Sequence, residues 1–272
     1  PAPFDRMFYG GDERDPSNRS MEPVLNFPPF MHYFRQWMGE VTDIEYPKAL
    51  YDGEIAYMDA CLQHVFHRLD ELHLREETLV VVTADHGEEL DEHAMWFDHH
   101  GLYDTNLHVP LILRMPGTVP AGARAPGTVR LMDIAPSVLD LIGRGELAVE
   151  HGMQGRSFVP ALRGEQPGGT AETLFLTECT WMRKRGVRTP EWKLIVARDH
   201  PDIHGRPPIE LYHLPTDPGE QRNVAEVRPD VVAGLRLELD EWLAARRLET
   251  GLPDPVEEQE ITLRQIGKPA QH

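Results

Sequence analysis

Thr78-Leu79-Val80-Val81-Val82-Thr83 is apolar and β-branched on both of its faces. Side chains alternate across a strand, so a run without a polar face must be covered on two sides. The run predicts a strand inside a mostly parallel sheet flanked by helices. The residues before it supply one such helix. Tyr51, Ile55, Met58, Leu62, Val65, Leu69 and Leu72 recur at spacings of four and three, which is one face of an amphipathic helix. Asp52 and Glu54 suit its first turn, where backbone N–H groups lack partners. Helix, short polar link (Arg75-Glu76-Glu77) and buried strand make half of a βαβ unit, so the fold class expected is α/β.

The rest of the chain arranges itself around that unit. Residues 1–47 are punctuated by Pro1, Pro3, Pro16, Pro23, Pro28, Pro29 and Pro47. They read as an irregular connecting segment wrapped on a body through Phe27, Phe30, Tyr33, Phe34 and Trp37. The α/β part is expected over 48–165. It includes a second apolar strand at Val109–Arg114, where Pro110 suits an edge or a first strand position. A helix follows at Leu131–Ile142, with Asp133 as its cap and Gly143 past its end. Glu165-Gln166-Pro167-Gly168-Gly169 is a break. Over 166–250, short strands at 173–177, 186–189, 192–196 and 210–214 precede a helix with Val231, Leu235, Leu239 and Trp242 on one face. That order predicts a small C-terminal α+β subdomain, and 251–272 read as a polar tail. The start at Pro1, with neither an initiator Met nor a signal peptide, leads to the expectation that this is a fragment with something preceding it.

Charge removes several classes of function. Asp and Glu number 45 against 27 Lys and Arg, a formal charge of −18. General nucleic-acid binders and polybasic membrane binders need a cationic face, so neither partner is expected. No apolar run approaches the roughly 18–20 residues of a membrane span, which predicts a soluble protein. Two cysteines cannot build a disulfide framework, and they leave the compartment open.

The sharpest chemical signal lies just past the predicted strand, in Thr83-Ala84-Asp85-His86-Gly87-Glu88. In open α/β sheets ligands bind beyond the carboxyl ends of strands. Asp85 offers a hard oxygen and His86 an imidazole to one metal ion, and Gly87 lets the backbone turn sharply. A plain strand-to-loop turn, with Asp85 as a cap, is the competing reading. Five of the 14 histidines (His86, His93, His99, His100 and His108) crowd this stretch. A pair such as His99-His100 can bind an anionic oxygen, protonate a leaving group or ligate metal. Glu89, Asp91 and Glu92 read as a solvated acidic loop. Asp133 reads as a cap, Tyr103 as packing, and Trp181, Trp192 and Trp242 as core of the C-terminal subdomain. Arg183, Lys184, Arg185 and Arg188 form a basic cluster, read as a solvated face or else the rim of an anionic substrate.

Taken in order, the motifs resemble the sulfatase family of the alkaline phosphatase superfamily over roughly residues 50–225. They run from Tyr51-Asp52-Gly53-Glu54-Ile55 through Thr83-Ala84-Asp85-His86-Gly87-Glu88, His99-His100-Gly101-Leu102-Tyr103-Asp104 and Val109-Pro110-Leu111-Ile112. Asp133-Ile134-Ala135-Pro136-Ser137, Gly155-Arg156-Ser157, Val187-Arg188-Thr189-Pro190-Glu191-Trp192-Lys193-Leu194 and Glu210-Leu211-Tyr212 with Thr216-Asp217-Pro218 follow.

The resemblance implies an alkaline-phosphatase-like sheet and metal-dependent hydrolysis of a sulfate ester by a formylglycine made from Cys or Ser. It implies Asp85 and His86 as ligands of a divalent ion. It places His100 or His99 where the family binds sulfate and assists the leaving oxygen. Calcium is the metal implied, while the imidazole of His86 suits Mn2+ or Zn2+ better. The substrate implied is a sulfated small molecule or glycan. The location implied is periplasmic or secreted if a signal peptide precedes the chain. Three departures stand out. The Cys/Ser-x-Pro/Ala-x-Arg nucleophile motif is absent, since neither Cys61 nor Cys179 fits it. The family's Asp-Asp metal pair is also absent, and Asp91 stands where relatives often have Gly. The expectation is therefore the C-terminal part of a longer enzyme, incomplete and inactive alone. The alternatives are a phosphodiester or phosphonate monoester hydrolase of the same superfamily, or a non-catalytic truncated chain.

Overall fold

The computed structural model describes residues 1–125, 127–165 and 173–258. The chain falls into two units, Pro1–Thr78 and Leu79–His272. In the first unit, helices α1 (Glu22–Leu25) and α2 (Met31–Met38) precede the long helix α3 (Glu45–Glu71). The opening stretch is thus partly helical. Val24 and Phe34 are buried, while Tyr33 and Trp37 are exposed and stack on each other at 5.5 Å.

Helix α3 begins where the Asp43 carboxylate accepts the Glu45 N–H at 3.1 Å. Gly53 lets the Phe4–Arg6 turn lie on the helix, because a Cβ there would sit 2.5 Å from the Phe4 carbonyl oxygen. The apolar stripe read from the sequence is real but largely uncovered: Tyr51, Ile55, Met58 and Val65 are all exposed. Periodicity says where apolar surface lies on a helix, not what covers it.

The second unit opens with strand β1 (Val80–Thr83), followed by the one-turn helix α4 (Asp104–Leu107) and strand β2 (Leu111–Arg114). β1 and β2 are antiparallel, with Val80 opposite Arg114 and Thr83 opposite Leu111. This corrects the parallel pairing expected from the apolar run. A parallel partner requires a crossover back to the same end of the sheet. The segment between these strands holds only a loop and α4, so the chain simply reverses. β1 is also only half-buried rather than covered on both faces.

Helices α5 (Ile134–Leu141), α6 (Glu146–Glu150) and α7 (Val159–Leu162) follow. Asp133 stands at the N-cap position of α5, but its side chain does not cap that helix as expected. Its buried carboxylate accepts the Arg130 and Arg156 backbone N–H groups at 2.9 and 2.8 Å and pairs with the Arg130 guanidinium, tying the 156 segment to the start of α5.

Strands β3 (Leu174–Glu178), β4 (Lys184–Arg188), β5 (Trp192–Ala197) and β6 (Ile209–His213) form an antiparallel meander in that order. They fall within two residues of the expected strands. Helix α8 (Pro229–Thr250) covers one face. Strand alternation decides the layering. Leu194 and Leu211 face Leu235 and Leu239 of α8, whereas their neighbours Ile195 and Tyr212 face Met95, Leu102 and Tyr103 of the histidine-rich loop. The sheet is therefore the middle layer, and the loop after β1 rests on its second face.

Of the expected break, 166–169 lie outside the described residues, as do 259–272 of the expected tail. The start of that tail is not simply polar and free: it carries helix α9 (Pro255–Glu258), whose Val256 is buried. Among the described residues no helix is long and apolar enough to cross a membrane.

Candidate active site

β1 delivers Asp85 and His86 to the solvent edge of the second unit. Asp85 is exposed. Its Oδ1 accepts the His86 N–H at 3.0 Å, and its Oδ2 lies 3.6 Å from His86 Nε2. His86 Nδ1–H donates to the Gly87 carbonyl at 2.8 Å, which leaves Nε2 as the ring's lone-pair nitrogen. Gly87 then packs directly on the α4 segment. Its N–H donates to the Asn106 carbonyl at 2.8 Å, and a Cβ there would lie 1.9 Å from the Thr105 oxygen. Only glycine fits that approach.

From Gly87 the loop folds back on itself. Glu89 and Asp98 exchange backbone hydrogen bonds at 2.9 and 3.3 Å, an isolated antiparallel bridge. The pairing sets Glu88 opposite His99. His86 Nε2 or Nδ1, a Glu88 oxygen and a His99 nitrogen all lie within 4.8 Å of one another. The His86 and His99 rings stack at 4.1 Å with 21° between planes. Burial raises the Glu88 carboxyl above its usual range, against the pull of His99.

The two adjacent histidines go opposite ways. His99 is half exposed and joins His86. His100 is 3% exposed and turns inward, with Nδ1 3.3 Å from Asp98 Oδ1 and Nε2 2.7 Å from His204 Nε2. Burial disfavours the Asp98 carboxylate, but the hydrogen bond from His100 and the positive fields of His100 and His99 outweigh it and hold Asp98 low. Trp181 packs edge-on to His100 at 6.3 Å, so its place is beside the histidine pair rather than in the core of the C-terminal sheet. His204 Nδ1–H donates to the Ala94 carbonyl at 2.8 Å, and its backbone N–H donates to Asp202 at 2.7 Å. Burial, then the field of His100, pushes the His204 ring down to about 4.

Beneath the loop lies a dense polar layer. Glu89, read as solvated, is fully buried: it accepts the Thr105 hydroxyl and His93 Nδ1–H, the latter at 3.0 Å. His93, Ala94 and Phe97 adopt positive φ, a strained choice for these residues, and of the three His93 is buried. The His93 ring stacks on Tyr103 at 3.7 Å, and the Tyr103 hydroxyl donates to Glu210 at 2.7 Å. Burial, reinforced by Glu210, raises the Tyr103 phenol. Asp104 pairs with Arg188 and Lys193, and Lys193 also pairs with Glu220 at 2.7 Å. Burial works against the Asp104 carboxylate, but its two cations win and hold it at about 2.

The basic cluster is not a solvated face, because each of its cations is ion-paired and largely covered. Arg183 pairs with Asp199, Lys184 with Asp202, Arg185 with Asp254 and Glu257, and Arg188 with Asp104. Glu88 and Asp98 belong to the acidic, histidine-rich stretch already visible in the sequence, but no local signal marks His204 as a neighbour of the histidines. His204 stands about a hundred residues from His100 in an unpatterned stretch.

Comparison with known proteins gives the family. The family profile described as Sulfatase matches residues 5–144. The chain belongs to the sulfatase family. A second profile, N-sulphoglucosamine sulphohydrolase, C-terminal, matches residues 91–247. This sulfatase chain is similar to arylsulfatase K of Mus musculus, 28% identical over 217 residues, covering 76% of the chain and 38% of the relative. It is similar also to choline-sulfatase of Rhizobium meliloti (strain 1021), 25% identical over 217 residues, covering 79% and 39%. The chain thus spans about two fifths of the length of these curated relatives.

Among solved structures it resembles a protein in complex with its substrate D-glucosamine-2-N,6-O-disulfate. The TM-score is 0.65 and the identity 25%, covering 79% of this chain and 43% of that one. The phosphonate monoester hydrolase of Agrobacterium radiobacter shares the fold at TM-score 0.62 and 24% identity, covering 92% and 54%. The alkaline-phosphatase-like α/β class expected from the motifs therefore holds, within which the described strands of this chain pair antiparallel.

Proposed function

We propose that this chain forms one wall of the active site of a sulfuric ester hydrolase acting on a sulfated small molecule or glycan. The observation that carries the reading is the apposition of His99 on His86, at the end of β1 beside Asp85, in a chain of the sulfatase family. The formylglycine nucleophile belongs to the proposal as a group from outside this chain, because the 272 residues hold no motif for it. Burial raises the Cys179 thiol, which suits a structural cysteine rather than an attacking thiolate.

Asp85 and His86 would hold a divalent ion. When bound, such an ion supplies positive charge to the oxygens of the anionic ester. Calcium takes six to eight oxygens, and one donor of this pair is an imidazole. An ion that accepts imidazole, such as Mn2+ or Zn2+, fits better.

His99 is the histidine open to a substrate. Its ring can donate a hydrogen bond to a sulfate oxygen or a proton to the leaving oxygen. His100 serves from behind, its ring engaged by His204 and Asp98 so that it fixes the backbone of His99.

In the full-length protein, Asp85→Ala is expected to abolish turnover of an aryl sulfate and to lower bound metal. Unchanged turnover would overturn the assignment. Comparing kcat/KM for a sulfate ester and a phosphonate monoester separates this reading from the rival hydrolase. A higher value on the phosphonate would favour the rival.

A further inference from the structure

Helix α2 and the turn before it carry an aromatic ladder that runs from the interior of the first unit to its surface. Ring centroids lie 5.5 Å apart for Phe27 and Phe30, 6.0 Å for Phe30 and Phe34, and 5.5 Å for Phe34 and Tyr33. Tyr33 and Trp37 then stack at 5.5 Å with 27° between planes. The inner end is buried at Phe27 and Phe34. The outer end is uncovered: Tyr33 is 52% and Trp37 73% exposed. Residues four apart share a helix face, so these two rings make one platform, with His32 and Gln36 exposed along its flank. Scattered exposed apolar residues are ordinary. Two large rings stacked on each other above a buried base are different, because they are ordered before a ligand arrives.

The charge around the platform is unlike that of the rest of the chain. From Pro23 to Gly39 there is no Asp or Glu, in a sequence that holds 45 of them. Arg35 donates to the Leu25 carbonyl at 3.0 Å and to the Asn26 side-chain oxygen at 2.7 Å, so its cation meets neutral oxygens only among the described residues. The first carboxylate beyond this stretch, Glu40, is paired with Arg14 at 3.0 Å. An aromatic platform in a locally positive stretch of a −18 chain fits a ligand with an apolar ring face and anionic substituents. A sulfated pyranose has both. Its C–H face suits the negative face of an aromatic ring, and its sulfates suit the local cation.

We propose that Tyr33 and Trp37 form an accessory saccharide-binding site that holds a sulfated sugar residue of a glycan. The site shares no residue with the loop after β1. It takes its ligand class from the reading of the preceding section.

The experiment is isothermal titration calorimetry of the 272-residue chain with a heparin-derived tetrasaccharide, run in EDTA so that no metal site contributes. Trp37→Ala is expected to weaken binding about fivefold or more, and Tyr33→Ala to weaken it less. Trp37→Tyr keeps a ring and is expected to restore most of the affinity. Leu248→Ala, at a residue 88% exposed in α8, is expected to leave it unchanged. The desulfated tetrasaccharide is expected to bind several-fold more weakly, and added salt to weaken the sulfated one less in Arg35→Gln than in the unaltered chain. Far-UV circular dichroism checks that each variant folds. Unchanged affinity in both alanine variants, or equal affinity for the desulfated sugar, would overturn the site. So would sedimentation velocity showing a dimer that Trp37→Ala disperses, since the platform would then face a second copy. The readout needs no turnover. An inactive full-length protein would sink the sulfatase reading and leave these affinities in place, whereas an active one with no dependence on Trp37 would sink this site alone.

Discussion

His204 faces the His100 ring, the Ala94 carbonyl, Asp202 and, beyond Asp202, Lys184. Burial and the positive field of His100 depress it from the ordinary 6.5 to about 4, so the folded chain binds this proton later than the unfolded chain. The neutral ring thus contributes stability that is fully present above pH 6.5. It is lost as pH falls from there through 4. His204→Gln keeps an amide able to bridge the same partners and does not titrate. Its melting temperature is expected to fall less steeply than that of the unaltered chain between pH 6.5 and 4. Parallel curves would show that this ring carries no such linkage. The same residue shows where sequence reading stops. His99 and His100 are adjacent, and alternation along an extended segment sends one outward and one inward. Which is which depends on the Glu89–Asp98 register and on a partner a hundred residues away.

At the scale of elements, the pattern of β5 was legible and its polar load was not. Trp192-Lys193-Leu194-Ile195 alternates well enough to place a strand, yet it puts Lys193 on the face shared with the buried Ile195. Lys193 is wholly buried and is held there by Asp104 of α4 and Glu220 after β6. No local pattern joins three residues so far apart in the chain. The direction of β2 was hidden for a related reason: an apolar run reports burial, while direction comes from the connection. Removing one member of a buried charged network strands its partners without compensation, at a cost of about 3–5 kcal/mol. Lys193→Met leaves Glu220 with the Asp104 backbone N–H but no cation, and Asp104 with Arg188 as its remaining cation. Urea unfolding of the chain is expected to show a loss of that size with an unchanged slope. A loss below about 1 kcal/mol would mean that the network is not the link between the loop and the sheet.

Across the whole molecule, stability and chemistry are placed apart. The four-stranded sheet is covered by α8 on one face and by the histidine-rich loop on the other. β1 and β2, by contrast, make a two-stranded ribbon that is only partly buried, with Ile112 60% exposed. Ribbons of two strands are marginal on their own. The α/β class and the family were legible because both follow from local runs and ordered motifs. The weakness of β1 was not, since its apolar residues promise two covers that the described residues do not supply. Local opening free energy follows burial and backbone protection, and each 1.4 kcal/mol is tenfold in exchange. Hydrogen exchange read by mass spectrometry is therefore expected to be at least about tenfold faster in peptides over 80–83 and 111–114 than over 193–196 and 210–213. A divalent ion held by Asp85 and His86, as proposed above, would pin the loop directly after β1, so Mn2+ is expected to slow exchange at 84–100 and to leave 210–213 unchanged. Equal protection of both sheets without metal would show that β1 is supported as firmly as the central meander. The site would then stand on a rigid strand rather than on a ribbon that ligands must help to hold.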